Sequence, residues 1–331
     1  MIGALEPGPS NSIADVGGIR VGQVTIWRDE PDPPEGRGVG RSGVTAVVPQ
    51  SLPLPAGVAV LNGAGELTGS HEIREWGQLE TPVYLTATMA VGRVYDGAVE
   101  VATRDDARVG IDEVLIPVVG ECDDSWLSEA RVVQVEAADV ARAVDSATGW
   151  PFPEGAVGAG TGMSCLGWKG GIGSASRVAG GHTVGTLVLA NFGSGRQLTI
   201  AGVPVGRQLP SQGRSNDAGS CIAVVATDAP LAPASLERIA RRAGLGLART
   251  GSVAHHGSGE IFVAFSTSPS SAQLGGRDLD PLFAATVEAT EEAVVNALWA
   301  AAAVTGREGR VERGLPHDEV LELLRERGAL A

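Results

Sequence analysis

The sequence predicts a layered α/β fold in which helices cover buried sheets. Two short segments, 221–226 and 261–265, are apolar without interruption, as expected of strands buried on both faces. Segments with helical spacing of apolar residues, such as 235–248 and 282–305, are interspersed with them. Because strands and helices mix without a regular βαβαβ alternation, sheets buried under helices are the favoured arrangement.

Further strands are predicted from alternating or continuous apolar runs. Residues 19–27 alternate, with Ile19 and Val21 separated by polar neighbours. The remaining strands are expected at 44–48, 58–61, 114–119 and 183–190.

Helices and loops are predicted from apolar spacing and from turn-forming residues. Ser235 is the expected N-cap of the helix at 235–248. The other helices are expected at 67–78, 97–108, 129–146, 282–305 and 318–327. Stretches rich in Gly, Pro, Ser or charge predict exposed loops at 28–43, 208–219 and 266–281, and a Gly-rich centre at 151–181.

The length of 331 residues fits one large domain or two ordinary ones. The chain contains neither an internal repeat nor a convincing linker, so a single catalytic domain over 1–331 is the simplest organisation. A hydrophobic content of 43% with 19% charged residues is globular rather than disordered.

Charge and cysteine usage exclude several classes of protein. The net charge is −14 and no run of Lys or Arg appears, which argues against nucleic-acid binding. No apolar run reaches membrane-spanning length, so no membrane partner is expected. Cys122, Cys165 and Cys221 have no paired spacing, which fits a reducing, cytoplasmic compartment.

The familiar metal, nucleotide and serine-hydrolase motifs are absent. His71-Glu72 begins like the zinc-protease motif HExxH, but its fifth position is Glu75. His255-His256 lacks a third ligand. The glycines around Lys169 do not have P-loop spacing, and no GxSxG occurs. Neither a metal nor a cofactor is therefore expected.

Gly219-Ser220 joins a polar segment directly to the buried strand 221–226. Self-cleavage through an N→O acyl shift needs a hydroxyl or thiol just after the scissile bond, and a preceding Gly tolerates a strained backbone. The freed α-amine of Ser220, with a reference pKa of about 7.7–8.0, could then act as base for its own hydroxyl. The same pattern is also typical of a glycine turn before a strand.

Two further groups carry polar side chains suited to catalysis. Ser258 and Glu260, flanked by glycines, would share one side of an extended segment, although a turn before a strand would look the same. Asn191 ends the strand 183–190 and could donate to an oxyanion, but Asn-x-Gly is also ordinary turn chemistry.

Long strings distributed over most of the chain resemble the DmpA family of P1-type peptidases, which includes L-aminopeptidase/D-esterases and β-peptidyl aminopeptidases. The strings are SIADVGGIRVG (12–22), AGELTG (64–69), GAGTGM (158–163), GWKGGIG (167–173), GS (219–220), ATDAPL (226–231) and GSGEIF (257–262).

The resemblance implies a four-layer αββα fold similar to that of N-terminal-nucleophile hydrolases. It also implies autocleavage between Gly219 and Ser220 into an α segment (1–219) and a β segment (220–331). The expected activity is that of a self-processing aminopeptidase or amidase acting on small peptides, amides or esters with a free amino terminus. The family is usually multimeric, so a homo-oligomer, a tetramer of αβ units, is expected.

The family's site residues match particular positions of this chain. Ser220 matches the nucleophile, Ser258 and Glu260 match a hydroxyl–carboxylate pair 38 and 40 residues later, and Asn191 matches the oxyanion donor. Glu121 resembles the carboxylate that receives the substrate's amine.

The chain departs from the family pattern two positions after Glu121. Relatives often carry an aromatic residue there, but this chain has Asp123, with Trp126 nearby. This departure makes Asp123 and Trp126 candidate specificity residues.

Two alternative functions are compatible with this sequence. An acyltransferase of the ornithine-acetyltransferase kind is self-cleaving but uses a Thr nucleophile, as does the related nylon-oligomer hydrolase, and Ser220 argues against both. An uncleaved, non-catalytic homologue that acts in binding or assembly is the other alternative. The sequence alone leaves the identity of the substrate open.

Overall fold

Two β-sheets pack face to face between two layers of helices in the computed structural model of this chain. The structure describes residues 2–211, 213–214, 216–270 and 273–330, and for 216–218 the backbone alone. The order helix, sheet, sheet, helix confirms the expected layered α/β fold.

The described part of the chain contains fourteen strands. They are β1 (Ile19–Asp29), β2 (Val39–Pro49), β3 (Leu54–Gly63), β4 (Gln78–Leu79), β5 (Val83–Ala87), β6 (Val118–Cys122), β7 (Ser164–Cys165), β8 (Trp168–Lys169), β9 (Gly171–Ala179), β10 (His182–Gly193), β11 (Asn216–Thr227), β12 (Gly259–Ser266), β13 (Val304–Thr305) and β14 (Val311–Glu312).

Seven α-helices occur among the same residues. They are α1 (Ser70–Trp76), α2 (Val91–Asp105), α3 (Ala137–Asp145), α4 (Val205–Gln208), α5 (Pro233–Arg249), α6 (Asp280–Trp299) and α7 (His317–Glu326). None of them is long and apolar enough to span a membrane.

The smaller sheet has four strands in the order β1-β2-β5-β6. Of its three strand pairings, β1–β2 and β2–β5 are antiparallel, whereas β5–β6 is parallel. The parallel pair needs a crossover, which α2 supplies. Val94, Ala98 and Val101 recur at helical spacing on α2 and are buried with α3 against the outer face of this sheet.

The larger sheet has six strands in the order β4-β3-β12-β11-β10-β9. Strands β11 and β12 are its parallel pair, and α5 is the crossover between them. Helices α5 and α6 cover the outer face of this sheet, and their buried residues belong to one core with it.

Strand β11 explains the uninterrupted apolar run at 221–226. Ile222 and Val224 belong to the core between the two sheets, whereas Ala223 and Val225 pack toward α5 and α6. Because both faces of the strand are covered, every residue of the run is buried, as the sequence predicts.

Helix α6 is buried although it carries carboxylates. Glu288 and Glu292 face the guanidinium of Arg177, which is fully buried on β9 and pairs with both. Glu291 pairs with Arg249 on α5 at 3.2 Å. Pairing therefore reconciles the charges with burial, and it ties α6 to β9 and α5.

The predicted loop at 28–43 is wrong at both ends, because β1 continues to Asp29 and β2 begins at Val39. Arg41 accounts for the error. Its buried side chain lies over the ring of Trp27 at 4.0 Å and pairs with Asp29, so a charged residue occupies a strand.

The predicted loop at 208–219 is also partly wrong. Helix α4 ends at Gln208 and β11 begins at Asn216, which pairs with Gly193 beyond a shift in the β10–β11 register. Backbone pairing does not require apolar side chains, so the strand extends into the polar segment. Ser220 therefore lies inside β11 rather than at its start.

Other boundaries shift for local reasons. The Gly-rich centre contains β9, where α6 approaches so closely that a Cβ at Gly173 would lie 2.0 Å from the carbonyl oxygen of Ala293. Helix α5 begins at Pro233 with Ala232 as N-cap, so the prediction of Ser235 as cap is wrong.

The remaining elements overlap the predicted ones with displaced ends or were not predicted. Helix α2 begins at Val91, β6 is displaced toward the C-terminus, α3 covers only Ala137–Asp145 and β5 was not predicted. Gln212, Ser215, Ser271 and Ala272, which fall in the two predicted loops 208–219 and 266–281, lie outside the described residues.

Candidate active site

Ser220 lies in β11 between two neighbouring strands. Its register partners are Asn191 on antiparallel β10 and Gly259 on parallel β12. The side chain follows the alternation of Ile222 and Val224, which places it on the face that looks into the gap between the sheets. Only 4% of Ser220 is exposed.

The hydroxyl of Ser220 meets a thiol on the opposite sheet. It is a hydrogen-bond partner of Cys122, at the end of β6, whose Sγ also contacts the carbonyl oxygen of Leu189 at 3.6 Å. Complete burial raises the pKa of the Cys122 thiol well above its ordinary value, and the neighbouring Glu121 raises it further. Cys122 is therefore a neutral neighbour of Ser220 and not a thiolate.

Asn191 is held by both ends of its side-chain amide. Its Oδ1 accepts a hydrogen bond from the backbone N–H of Ser164 at 2.8 Å, and its Nδ2 donates to the carbonyl oxygen of Asp123 at 2.9 Å. Opposite residues of an antiparallel pair share a face, so the amide lies on the same side of the sheet as the Ser220 hydroxyl. A fixed amide beside a hydroxyl is suited to stabilising an oxyanion.

Ser258 and Glu260 bracket the register partner of Ser220. The Ser258 hydroxyl donates to Glu260 Oε1, and both side chains are buried. Asn62 on β3 supports this segment, since its Nδ2 donates to the carbonyl oxygen of Ser258 at 2.6 Å.

Burial dominates the ionisation of Glu260. It raises the pKa of the carboxyl, which the hydrogen bond from Ser258 and the charge of His255 lower in part. Glu260 Oε2 is buried and has no hydrogen-bond partner among the described residues. One carboxylate oxygen therefore retains capacity for a further donor.

The structure brings the Ser258–Glu260 pair beside the backbone of Ser220 rather than to its hydroxyl. Glu260 is the register partner of Cys221, and burial raises the pKa of the Cys221 thiol, which the neighbouring Cys122, Cys165 and Glu260 raise further. Among the described contacts, the Ser220 hydroxyl meets Cys122 and neither member of the pair. The pair thus lies at the start of β12, the strand beside β11, one residue to either side of Gly259, the register partner of Ser220.

Glu121 faces this region from the smaller sheet. Its Oε1 accepts from the backbone N–H of Glu66 at 2.9 Å, and its Oε2 accepts from the Thr88 hydroxyl. Burial raises the pKa of Glu121, while these two hydrogen bonds lower it in part.

The gap between the two sheets is narrow beside Glu121, as the surroundings of Gly65 show. A Cβ at Gly65 would lie 3.2 Å from Glu121 Oε1 and 3.4 Å from the Cα of Gly259, the residue opposite Ser220. The carboxylate of Glu121 thus lies across the gap from the strands that carry Ser220 and Gly259.

The loop after β6 carries the two candidate specificity residues. Asp123 Oδ1 accepts from the backbone N–H of Ser125 at 2.9 Å, which closes a local turn. The Trp126 ring lies 5.3 Å from the guanidinium of Arg214 and 4.3 Å from that of Arg310. This loop adjoins Asn191 through the Asp123 carbonyl, so it lies at the edge of the candidate site.

Sequence reasoning missed the residues that support the site. Cys122, Ser164, Thr88 and Asn62 each contact one of the candidates, but none lies in a motif whose spacing signals that contact. Only Cys122 offered a sequence signal, since it directly follows Glu121.

The five most prominent candidates are closed off from solvent. Ser220, Asn191, Ser258, Glu260 and Glu121 are each at most 4% exposed. A cavity of about 730 Å³ lies elsewhere, against α2 and β5, and none of these residues lines it. The candidate site is therefore identified by the chemistry of these five buried residues and not by the volume of an open cavity.

Comparison with known families gives a match over nearly the whole chain. Residues 11–312 match peptidase family S58. A beta-peptidyl aminopeptidase of Sphingosinicella microcystinivorans is 38% identical, and the alignment covers 99% of this chain and 91% of that protein. Its counterpart from Sphingosinicella xenopeptidilytica is 39% identical over 97% of this chain and 88% of that protein.

Solved structures match equally well. A Burkholderia beta-aminopeptidase superposes with a TM-score of 0.90 at 41% identity, covering 98% of this chain and 96% of that one. The L-aminopeptidase D-Ala-esterase/amidase of Ochrobactrum anthropi, described as a variant of the Ntn hydrolase fold, gives 0.93 at 38% identity, covering 99% and 97%.

Proposed function

This chain belongs to peptidase family S58 and is an aminopeptidase with a variant of the N-terminal-nucleophile hydrolase fold, and from that premise we propose that it activates itself by cleaving its Gly219–Ser220 bond. Cleavage would give an α segment (1–219) and a β segment (220–331) within a single catalytic domain. The observation that carries the proposal is the position of Ser220, whose hydroxyl enters the inter-sheet gap with Asn191 opposite and Glu121 across it.

Self-cleavage proceeds by an N→O acyl shift. The Ser220 hydroxyl oxygen attacks the carbonyl carbon of Gly219, and the peptide C–N bond breaks as an ester forms. The departing nitrogen takes the hydroxyl proton and becomes the α-amine of Ser220. Water then hydrolyses the ester, which releases the Gly219 carboxylate and restores the hydroxyl.

In turnover the new α-amine is the general base. Its reference pKa of about 7.7–8.0 lies close to neutral pH, so a useful fraction is unprotonated. It takes the proton of the Ser220 hydroxyl as the oxygen attacks the substrate's carbonyl carbon. The same proton then passes to the leaving amine or alcohol, and water hydrolyses the acyl-enzyme ester.

The neighbouring groups support this chemistry from both sides. Asn191 donates to the oxyanion that develops on the carbonyl oxygen. Ser258 and Glu260 flank Gly259, the register partner of Ser220, and Glu260 Oε2, which has no hydrogen-bond partner among the described residues, would accept from the new amine and orient it.

Glu121 restricts the proposed cleavage to the amino-terminal residue of the substrate. A buried carboxylate across the gap pairs with the ammonium group of the substrate, which aligns the first carbonyl with Ser220. The substrate class is therefore a small peptide, amide or ester with a free amino terminus, with Asp123 and Trp126 near the first side chain.

Denaturing gel electrophoresis and intact-mass measurement of the purified chain test this proposal. The wild type is expected as two separate fragments, one ending at Gly219 and one beginning at Ser220, whereas Ser220→Ala stays whole at 33.7 kDa and is inactive. Ser266→Ala, which removes another buried serine hydroxyl in β12, is the matched control and is expected to cleave normally. A persistent single band whose activity survives Ser220→Ala would overturn the mechanism.

The substrate is identified by a panel of aminoacyl p-nitroanilides that contrasts α- with β-amino acids, L- with D-residues and esters with amides. N-acetylated substrates are expected to be inert, because they cannot pair with Glu121. Transfer of acetyl from acetyl-ornithine to glutamate tests the acyltransferase alternative in the same preparation.

We also propose that the protein works in the reducing cytoplasm. Its three cysteines are free and buried, so the fold uses none of them in a disulfide. Cell fractionation is the test, and recovery outside the cytoplasmic fraction would contradict it.

We propose further that the protein assembles into a homo-oligomer of αβ units, with a tetramer as the expected form. Exposed apolar side chains at Ile111 (81%) and Val114 (85%) favour contacts between copies. Light scattering of the purified protein is the measurement, and a monomeric mass would refute this part alone.

A further inference from the structure

Glu312, in the short strand β14, is fully buried near the end of the chain. Carboxylic side chains are seldom fully buried unless they are paired. The Ser164 hydroxyl donates to Glu312 Oε2 at 3.0 Å, and the buried Lys169 lies close enough for the two charges to interact.

Ser164 links Glu312 to the candidate oxyanion donor. Its hydroxyl bonds to Glu312 while its backbone N–H donates to Asn191 Oδ1 at 2.8 Å. The orientation of the Asn191 amide therefore depends on where Glu312 holds the Ser164 segment. A chain of two hydrogen bonds connects a residue of the C-terminal segment to the site.

The same carboxylate touches the segment that precedes the proposed cleavage point. A Cβ at Gly213 would lie 2.1 Å from Glu312 Oε1 and 2.2 Å from the carbonyl oxygen of Gly167, and because the second atom is backbone, only glycine fits here. Burial raises the pKa of Glu312, and the Ser164 hydroxyl and the backbone N–H of Arg214 lower it in part. The Arg214 guanidinium in turn lies over the Trp126 ring.

From these contacts we infer that Glu312 is a positioning residue with two roles, holding the Gly213–Arg214 segment for self-cleavage and, through Ser164, holding Asn191 for turnover. This inference rests on the proposed function. Glu312 touches neither the substrate nor the reacting atoms, and it acts by keeping the groups that do so in register.

The expected size of the effect follows from geometry. Displacing a catalytic group by about 1 Å can reduce the rate on the order of 100-fold. Loss of one of two supporting contacts is expected to cost less, so Glu312→Gln should lower kcat on the order of 10-fold. Because Asn191 acts on the transition state, KM is expected to change little.

The experiment compares full-length Glu312→Gln, Ser164→Ala and the double variant with a matched control. Glu291→Gln is that control, since it neutralises another nearly buried glutamate that contacts Arg249 away from the site. Self-cleavage rate, kcat, KM and Tm are measured for each variant.

If Glu312 acts through Ser164, the double variant loses no more kcat than Glu312→Gln alone. Self-cleavage is expected to slow more in Glu312→Gln than in Ser164→Ala, because only the former alters the contact with Gly213. Glu291→Gln is expected to cleave and turn over as the wild type does.

Several results would overturn the inference. These are a Glu312→Gln variant with wild-type cleavage and kcat, losses that add fully in the double variant, or an equal fall in kcat for Glu291→Gln. If Glu312→Gln fails to fold, Ser164→Ala decides, and an unchanged kcat in that variant refutes the link. A wild type that neither cleaves nor hydrolyses would instead refute the proposed function.

Discussion

Asn191 and Ser220 lie directly opposite each other on antiparallel strands β10 and β11, with both side chains on the face between the sheets. The strand pairing therefore sets the distance between the proposed nucleophile and oxyanion donor, and no loop intervenes. Sites built on paired strands hold their geometry better than sites on loops. Adjacent to this pair, the β10–β11 register shifts between Asn191 and Gly193, because three residues of β11 lie opposite one residue of β10, and the ladder is interrupted there.

Asn191→Ala is expected to lower kcat by about 100- to 1,000-fold with little change in KM, because an oxyanion donor acts in the transition state. Steady-state kinetics on an aminoacyl p-nitroanilide is the measurement. Asn296→Ala removes another amide that donates to a carbonyl oxygen, that of Ser174 at 2.8 Å, and should retain kcat. Equal losses in the two variants would contradict the assignment of Asn191.

The pH dependence of substrate binding is expected to follow the ionisation of the Glu121 carboxyl. Burial raises the pKa of its carboxyl, and only the ionised form pairs with the substrate's ammonium group. As pH falls through that raised pKa, KM is expected to rise, and Glu121→Gln should abolish this limb while lowering kcat/KM by about 10- to 100-fold.

Glu154→Gln is the matched control for that experiment, since burial also raises the pKa of Glu154, to about 7, outside the candidate site. Its acid limb should coincide with that of the wild type. A limb that persists in Glu121→Gln would show that another group binds the amine.

Amine labelling should count the products of self-cleavage. Lys169 is the only lysine among the 331 residues, so the uncleaved chain carries two amines, Lys169 and the amino terminus. Cleavage adds the α-amine of Ser220. After denaturation and exhaustive acylation, the wild type is expected to carry three labels and Ser220→Ala two, with the extra label mapped to Ser220. Equal counts would contradict cleavage at this bond.

Lys169 should make stability depend on pH. Its Nζ donates to the carbonyl oxygens of Gly160 and Gly170, yet complete burial lowers its pKa to about 7, although the charge of Glu312 raises it in part. Between pH 7 and 10.5 the unfolded chain thus binds more protons than the folded one, and the free energy of unfolding rises with pH by at most about 1.4 kcal/mol per unit.

Urea unfolding at several pH values measures that slope. Lys169→Met removes the titrating group, so its free energy of unfolding should be lower overall and flatter across the same window. The rise should also stop near the ordinary lysine value of 10.5. Identical slopes in the wild type and the variant would mean that Lys169 stays charged in the fold.

Particular residues show which parts of the fold can be predicted from the sequence and which cannot. Apolar runs such as 221–226 identify strands reliably because both faces are covered, and β11 and β12 lie where expected. Prediction fails where polar residues enter strands, as at Arg41 and at Asn216. In both places the structure depends on backbone hydrogen bonds between strands, which the pattern of side chains along the sequence does not reveal.

The sequence by itself predicted the layered fold and made Ser220 and the Ser258-x-Glu260 pair candidates, and the family resemblance of the surrounding strings, rather than the local spacing, made them the expected site residues. Only the tertiary structure decided that Asn191 faces Ser220, that Glu121 approaches from the other sheet, and that Glu312 reaches Asn191 through Ser164. These contacts join residues that are far apart in the chain. Strand register and the packing of the two sheets bring them together, and neither can be read from the local spacing of residues.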